Sequence, residues 1–154
     1  MESNKKKESP YVKYPVCLSY LFNPGESRFI IHMIEIEFLK DQGYNTNWTR
    51  AEYMKRMGLN EYSFERCIKR LVKMGLLSKT NNKLKNKVYY SFNMQLYDRL
   101  VEILSVTCNI DKLIEFCETK FIRDARPIES ITEKETDDLR ADNGLLKTHP
   151  SIGG

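Results

Sequence analysis

Apolar positions recur every three or four residues along most of the chain, and a compact β-type pattern occurs only once, so the sequence predicts a mainly α fold with a small β-hairpin. Phe29, Ile30, Met33, Ile34, Ile36 and Leu39 predict a mostly apolar first helix reaching about Gln42, with Gly43 beyond its end. Asn23, Pro24 and Glu26 are the residues a helix start requires: a cap, a first position that needs no N–H, and the returning carboxylate of a capping box. Thr49 and Glu52 repeat the box ahead of Ala51, Tyr53, Met54 and Met57, and Gly58 supplies a left-handed stop. Trp48, just before that cap, is placed to staple against Tyr53, with contact to a base or sugar as the alternative. Asn60 caps a third helix that Gly75 ends. At about 100° per residue, Phe64, Cys67, Ile68, Leu71, Val72 and Met74 fall on one arc of roughly 160°. Tyr62, Arg66, Lys69 and Lys73 fall opposite, Arg70 and Ser63 on one flank, Glu61 and Glu65 on the other.

Beyond Gly75, Leu76–Thr80 and Val88–Phe92 flank Asn-rich turn residues and predict the hairpin. Asn93 then caps a helix carrying Leu96, Tyr97, Leu100, Val101 and Leu104, and another follows with Leu113, Ile114, Phe116, Cys117 and Phe121. These two C-terminal helices, within residues 94–123, are too apolar to stand alone; they pack on the same chain or on a second copy in a homodimer. Residues 11–93 form the main domain, whose lead from Tyr11 to Phe22 is expected to be extended with some strand character. Residues 1–10 read as a disordered basic tail, and 124–154 as a polar acidic tail, mostly disordered, with a short helix start at Thr132-Glu133-Lys134-Glu135.

Charge sharpens this picture. Residues 44–93 carry 11 Lys and Arg against 3 Asp and Glu, whereas residues 94–154 carry 8 against 12. The excess of cations coincides with the second and third helices and the hairpin, which points to a polyanion partner. Catalytic chemistry has little to draw on. The two histidines stand alone, the four cysteines form no C-x-x-C pair, and neither a P-loop nor a dinucleotide glycine pattern occurs. No enzyme, metal, cofactor or small-molecule substrate is expected; the cysteines read as buried or half-buried thiols. No signal-peptide core or membrane span is evident, and a reducing cytoplasm is the expected location.

Helix, helix, helix and basic hairpin is the order of a winged helix. Tyr14-Pro15, Asn23-Pro24-Gly25, Gly58-Leu59, Leu71 and Gly75-Leu76-Leu77 follow, in order and spacing, the pattern of the winged helix-turn-helix domains at the N-termini of bacterial plasmid and phage replication initiators and related regulators, which residues 11–92 resemble. The resemblance implies double-stranded DNA binding, with residues 61–74 as a recognition helix in the major groove and residues 78–92 as a wing. Glu61 and Tyr62 depart from the small polar residues usual at the start of such a helix. Candidate contacts are Arg50, Tyr62, Ser63, Arg66, Lys69, Arg70 and Lys73 on the helices and Lys79, Lys83, Lys85 and Lys87 on the hairpin. The implied role is a transcriptional regulator, or an accessory or initiator factor in replication of a mobile element. A winged helix that binds protein rather than DNA is the alternative. The two diverge on whether Arg66, Lys69, Arg70 and the hairpin lysines form one continuous positive surface.

Overall fold

The computed structural model describes residues 12–82, 87–123 and 126–141, and the chain is mainly α with one small β-hairpin. Helices α1 (Pro24–Asp41), α2 (Arg50–Met57) and α3 (Glu61–Met74) begin where the capping residues put them. Asn23, Thr49 and Asn60 each accept a hydrogen bond from the backbone N–H three residues on. At α1 the box is reciprocal, since the Asn23 N–H donates to Glu26 Oε1 at 3.0 Å. Trp48 packs edge-on against Tyr53, with ring centroids 5.5 Å apart. Gly75 closes α3 at φ 90°, the left-handed conformation that favours glycine, and a Cβ there would lie 3.0 Å from Leu96 Cδ2, so that side chain would have to shift to admit one.

Strands β1 (Leu77–Asn82) and β2 (Lys87–Phe92) pair antiparallel, Leu77 opposite Phe92, and run somewhat longer than the sequence pattern indicated. The outer edge of β2 has no third strand, and α1 takes its place. The Phe92 N–H donates to Glu37 Oε2 at 3.0 Å, and Lys40 Nζ donates to the Tyr90 carbonyl at 3.0 Å and to Glu37 Oε2 at 3.1 Å. One ion pair thus satisfies a donor and an acceptor that an edge strand would leave open. Phe29, Ile30 and Met33 of α1 meet Phe64 and Leu71 of α3 in the core, which Tyr90 closes edge-on against Tyr53 at 5.1 Å.

Two expectations are corrected. The lead is not strand-like: Val16–Tyr20 form a 3-10 turn behind Pro15, where the Leu18 N–H donates to the Pro15 carbonyl at 3.1 Å. Leu18, Leu21 and Phe22, spaced three and four apart, are its buried residues, so the governing period is helical. The second correction concerns the polar tail. After α4 (Met94–Leu104) and α5 (Ile110–Cys117), which widens into a π turn over Glu118–Arg123, residues 133–141 form a further helix, α6. Its start is a second reciprocal box between Thr132 and Glu135. Ile128, Ile131 and Leu139 bury against the helical pair, enough apolar area to hold a segment whose composition is otherwise polar. The inner faces of α4 and α5 are covered within the one chain. The expected N-terminal tail and the last 13 residues of the acidic tail lie outside the described residues.

Glu135 is the hub of that C-terminal unit. It accepts the Thr132 N–H, and Arg126 and Lys120 donate to it at 2.9 and 3.0 Å. The Thr132 N–H first, then the two cations, hold its carboxyl down to about 2. A depressed acid stabilises above its ordinary value of 4.5 and loses that contribution as pH falls through about 2. The urea midpoint of wild type should therefore exceed that of Glu135→Gln at pH 6, and the gap should close between pH 4.5 and 2; a pH-independent gap refutes the assignment. For the hairpin, Glu37→Ala leaves the Phe92 N–H without its acceptor and should cost about 1–3 kcal/mol in denaturant unfolding.

Candidate nucleic-acid interface

Helix α3 owes its orientation to one ion pair. Glu26, already committed to the cap of α1, also accepts from Arg70 Nη1 at 2.5 Å, and the same Nη1 donates to the Leu21 carbonyl at 3.2 Å. The guanidinium lies over the Phe22 ring at 5.4 Å. Arg70 is thereby withdrawn from solvent, with side chain 19% exposed against 8% for Glu26. It ties α3 to the 3-10 turn and to the start of α1, and it is a structural residue in this fold rather than a free phosphate contact.

Arg50 is also engaged within the fold. It lies over the Phe64 ring at 5.1 Å, pairs with Glu65, and reaches Glu61 at 3.6 Å. It also hydrogen-bonds to Tyr90, whose hydroxyl burial pushes upward in pKa. The flank of α3 nearest the hairpin therefore carries two carboxylates with one guanidinium between them. Among the remaining cations of α2, Arg56 pairs with Glu52 at 2.8 Å and stacks on Trp48 at 4.1 Å, while Lys55 stays exposed and unpaired.

The outward stripe of α3 is different. Tyr62 is 67% exposed, and Arg66 donates to its hydroxyl at 3.1 Å while lying over its ring. Lys69 and Lys73 are exposed and have no carboxylate partner among the described residues. Arg66, Lys69 and Lys73 thus form a cationic line roughly 10 Å long at 1.5 Å per residue. Ser63 sits half-buried at the first turn, its N–H donating to the Asn60 cap at 2.8 Å. On the hairpin, Lys79 is in register with Tyr90 and Lys87 with Asn82, which puts the two lysines on opposite faces. Lys83 and Lys85 lie outside the described residues. Of the eleven sequence candidates, the structure gathers Tyr62, Arg66, Lys69 and Lys73 on one exposed face and turns Arg50 and Arg70 to internal pairing.

Sequence reasoning missed what lies beside this face. A groove of about 650 Å³ runs between α3 and the 3-10 turn, with Arg66, Lys69 and Lys73 on one wall. Tyr20, Phe22 and, from the π turn, Ile122 supply its apolar surface, and Ser19, Asn23, Glu26 and Arg70 also line it. Nothing in the sequence brings Tyr20 and Ile122 together, because their proximity is tertiary. Cys67 and Cys117 are buried and their thiols pushed up to about 11 and about 12 by desolvation; Cys17 is half-buried and Cys108, against expectation, exposed. Among the described residues no cluster of His, Cys, Asp and Glu could hold a metal, and no helix is long and apolar enough to cross a membrane. No family model, curated protein or solved structure matches the chain.

Removing the carboxylate that holds Arg70 should be severe. Glu26→Ala leaves a guanidinium in a half-buried site and is expected to cost about 3–5 kcal/mol. Glu26→Ala combined with Arg70→Met should recover part of that loss in urea unfolding, because the unpaired charge is gone; an additive double mutant would show that the two residues do not interact.

Proposed function

We propose that the chain binds double-stranded DNA, with α3 in the major groove and the hairpin as a wing against the backbone. The observation that carries this reading is the exposed stripe of Tyr62, Arg66, Lys69 and Lys73. Among the described residues these cations form no ion pair with a carboxylate, and they lie on the second helix of a two-helix unit joined by Gly58, Leu59 and Asn60. Arg66 and Lys69 have the length and charge to reach guanine O6 and N7 or the flanking phosphates, and Lys73 and Lys55 suit phosphates. Lys79 and Lys87 stand on opposite faces of the hairpin, so at most one of them extends the field of the α3 stripe. Arg50 contributes indirectly: by neutralising Glu61 and Glu65 it removes carboxylate repulsion beside the groove face. The resemblance to initiator and regulator domains favours a bacterial mobile-element context, in transcription control or replication, within the cytoplasm.

Fluorescence anisotropy with a labelled duplex across a salt series tests the reading. Each neutralised phosphate should contribute roughly −0.9 to the slope of log affinity against log salt. Arg66→Ala with Lys69→Ala should lower the slope by about two and the affinity at least tenfold, with the fold unchanged by circular dichroism. A folded wild-type protein that fails to bind duplex at low salt would sink the proposal.

A further inference from the structure

The groove beside α3 has a composition that duplex DNA does not use. Its α3 wall is cationic, with Arg66, Lys69 and Lys73 free of carboxylate partners, and the single acid at its edge, Glu26, is neutralised by Arg70. Its other side is mainly apolar and aromatic, with Tyr20 half-buried, Phe22 in the floor and Ile122 50% exposed, beside the polar Ser19 and Asn23. A duplex presents a rigid, fully charged backbone. It can meet the tips of the three cations, but it has nothing to place against the isoleucine and the rings below them.

Beyond the groove, α5 exposes two further isoleucines. Ile110 and Ile114 of α5 are 46% and 43% exposed and lie one helical turn apart. The π turn of Glu118–Arg123 adds a residue to the helical repeat, which rotates Ile122 back toward the line of Ile110 and Ile114. An α-helical continuation would carry Ile122 about 120° from Ile110, against roughly 55° with the π turn, at about 100° and 87° per residue. Ile110, Ile114 and Ile122 thereby share one side of α5 and the π turn over about 18 Å at 1.5 Å per residue, with the exposed Glu118 between the last two.

From these features we infer that the groove is a docking site for an acidic amphipathic segment of a partner protein, with carboxylates on Arg66, Lys69 and Lys73 and apolar side chains on Ile122 and Tyr20. Charge complementarity selects this occupant: an apolar peptide would bury three unpaired cations, and a purely acidic one would leave the apolar side wet. A helix laid into a groove by its apolar face is an established mode of peptide recognition. Because the wall is the stripe assigned above to DNA, peptide and duplex compete for it. The docking itself stands without that assignment.

The probe is a fluorescein-labelled peptide of repeating Glu-Glu-Leu-Leu units, compared by anisotropy with an all-Glu peptide of equal charge and with single-stranded oligo-dT. The full chain should bind the Glu-Leu peptide at least tenfold more tightly than the all-Glu peptide. Ile122→Ser should reduce that preference to less than threefold, and Lys69→Glu should abolish binding of both peptides. Melting curves establish that the variants fold. Ile122→Ser should leave the salt-dependent affinity for duplex within twofold, which separates failure of the groove from failure of the DNA reading. Equal affinity for the two peptides, or no binding of either to the folded protein, overturns the proposal. Tighter binding of oligo-dT that Ile122→Ser removes overturns it in favour of a single-stranded nucleic acid.

Discussion

The carboxylate of Glu26 stands where three elements meet, and the arrangement of the N-terminal half depends on it. One of its oxygens receives the Asn23 N–H, completing the start of α1, and also accepts from Arg70 Nη1, which fixes α3. Arg70 in turn donates to the Leu21 carbonyl, so the end of the 3-10 lead is held by the same guanidinium. The rotation of α3 about its own axis follows. With Arg70 drawn to one side and Phe64, Ile68 and Leu71 buried, Arg66, Lys69 and Lys73 have no direction left but outward. A half-buried ion pair is weak evidence for stability, since desolvation offsets much of the attraction. Its value here is geometric, because an apolar substitute would fill the space without fixing the rotation.

On the opposite flank Arg50 plays the matching part. It bridges α2 to α3 through Glu61 and Glu65 and covers Phe64, so the two helices are held on both sides of the short turn between them. The hairpin is fixed to α1 by the same economy of means, a Glu37–Lys40 pair whose two ends satisfy one donor and one acceptor on the open edge of β2. In each case an ion pair binds a second element through backbone groups or a ring, and exposed pairs without such additional contacts contribute little.

What could be read in the sequence was local. The starts and stops of α1, α2 and α3 lie in residues three or four apart, and the structure puts them at Asn23, Thr49, Asn60, Gly58 and Gly75 as expected. The outward stripe of α3 was legible for the same reason, as an angle on a wheel. Arg70 was not, because it lies on the boundary between the two faces and its side is decided by Glu26, 44 residues away. The pairing of Arg50 was not legible for the same cause, its partners being on another helix. In the lead, Pro15 and imperfect alternation masked the three- and four-residue spacing of Leu18, Leu21 and Phe22. In the tail, polar composition outweighed Ile128, Ile131 and Leu139, although the Thr132–Glu135 box was visible.

The unpaired cations of α3 carry a cost that bears on their purpose. Arg66 and Lys73 each lie three or four residues from Lys69, so like charges face one another along the exposed side, where each such contact destabilises a helix by about 0.2–0.5 kcal/mol. Several cations elsewhere are paired instead: Arg56 has Glu52, Arg99 has Glu102 and Glu133, and Arg126 and Lys120 share Glu135. The carboxylates that α3 does carry, Glu61 and Glu65, are turned to Arg50 rather than to the stripe. Helix α3 tolerates the repulsion because its stability comes from the buried face and the Asn60 cap, not from its solvent side. Among the described residues most of the other arginines are paired, whereas the α3 line is kept clear of acids, so an external anion meeting it would have no internal carboxylate partner to displace.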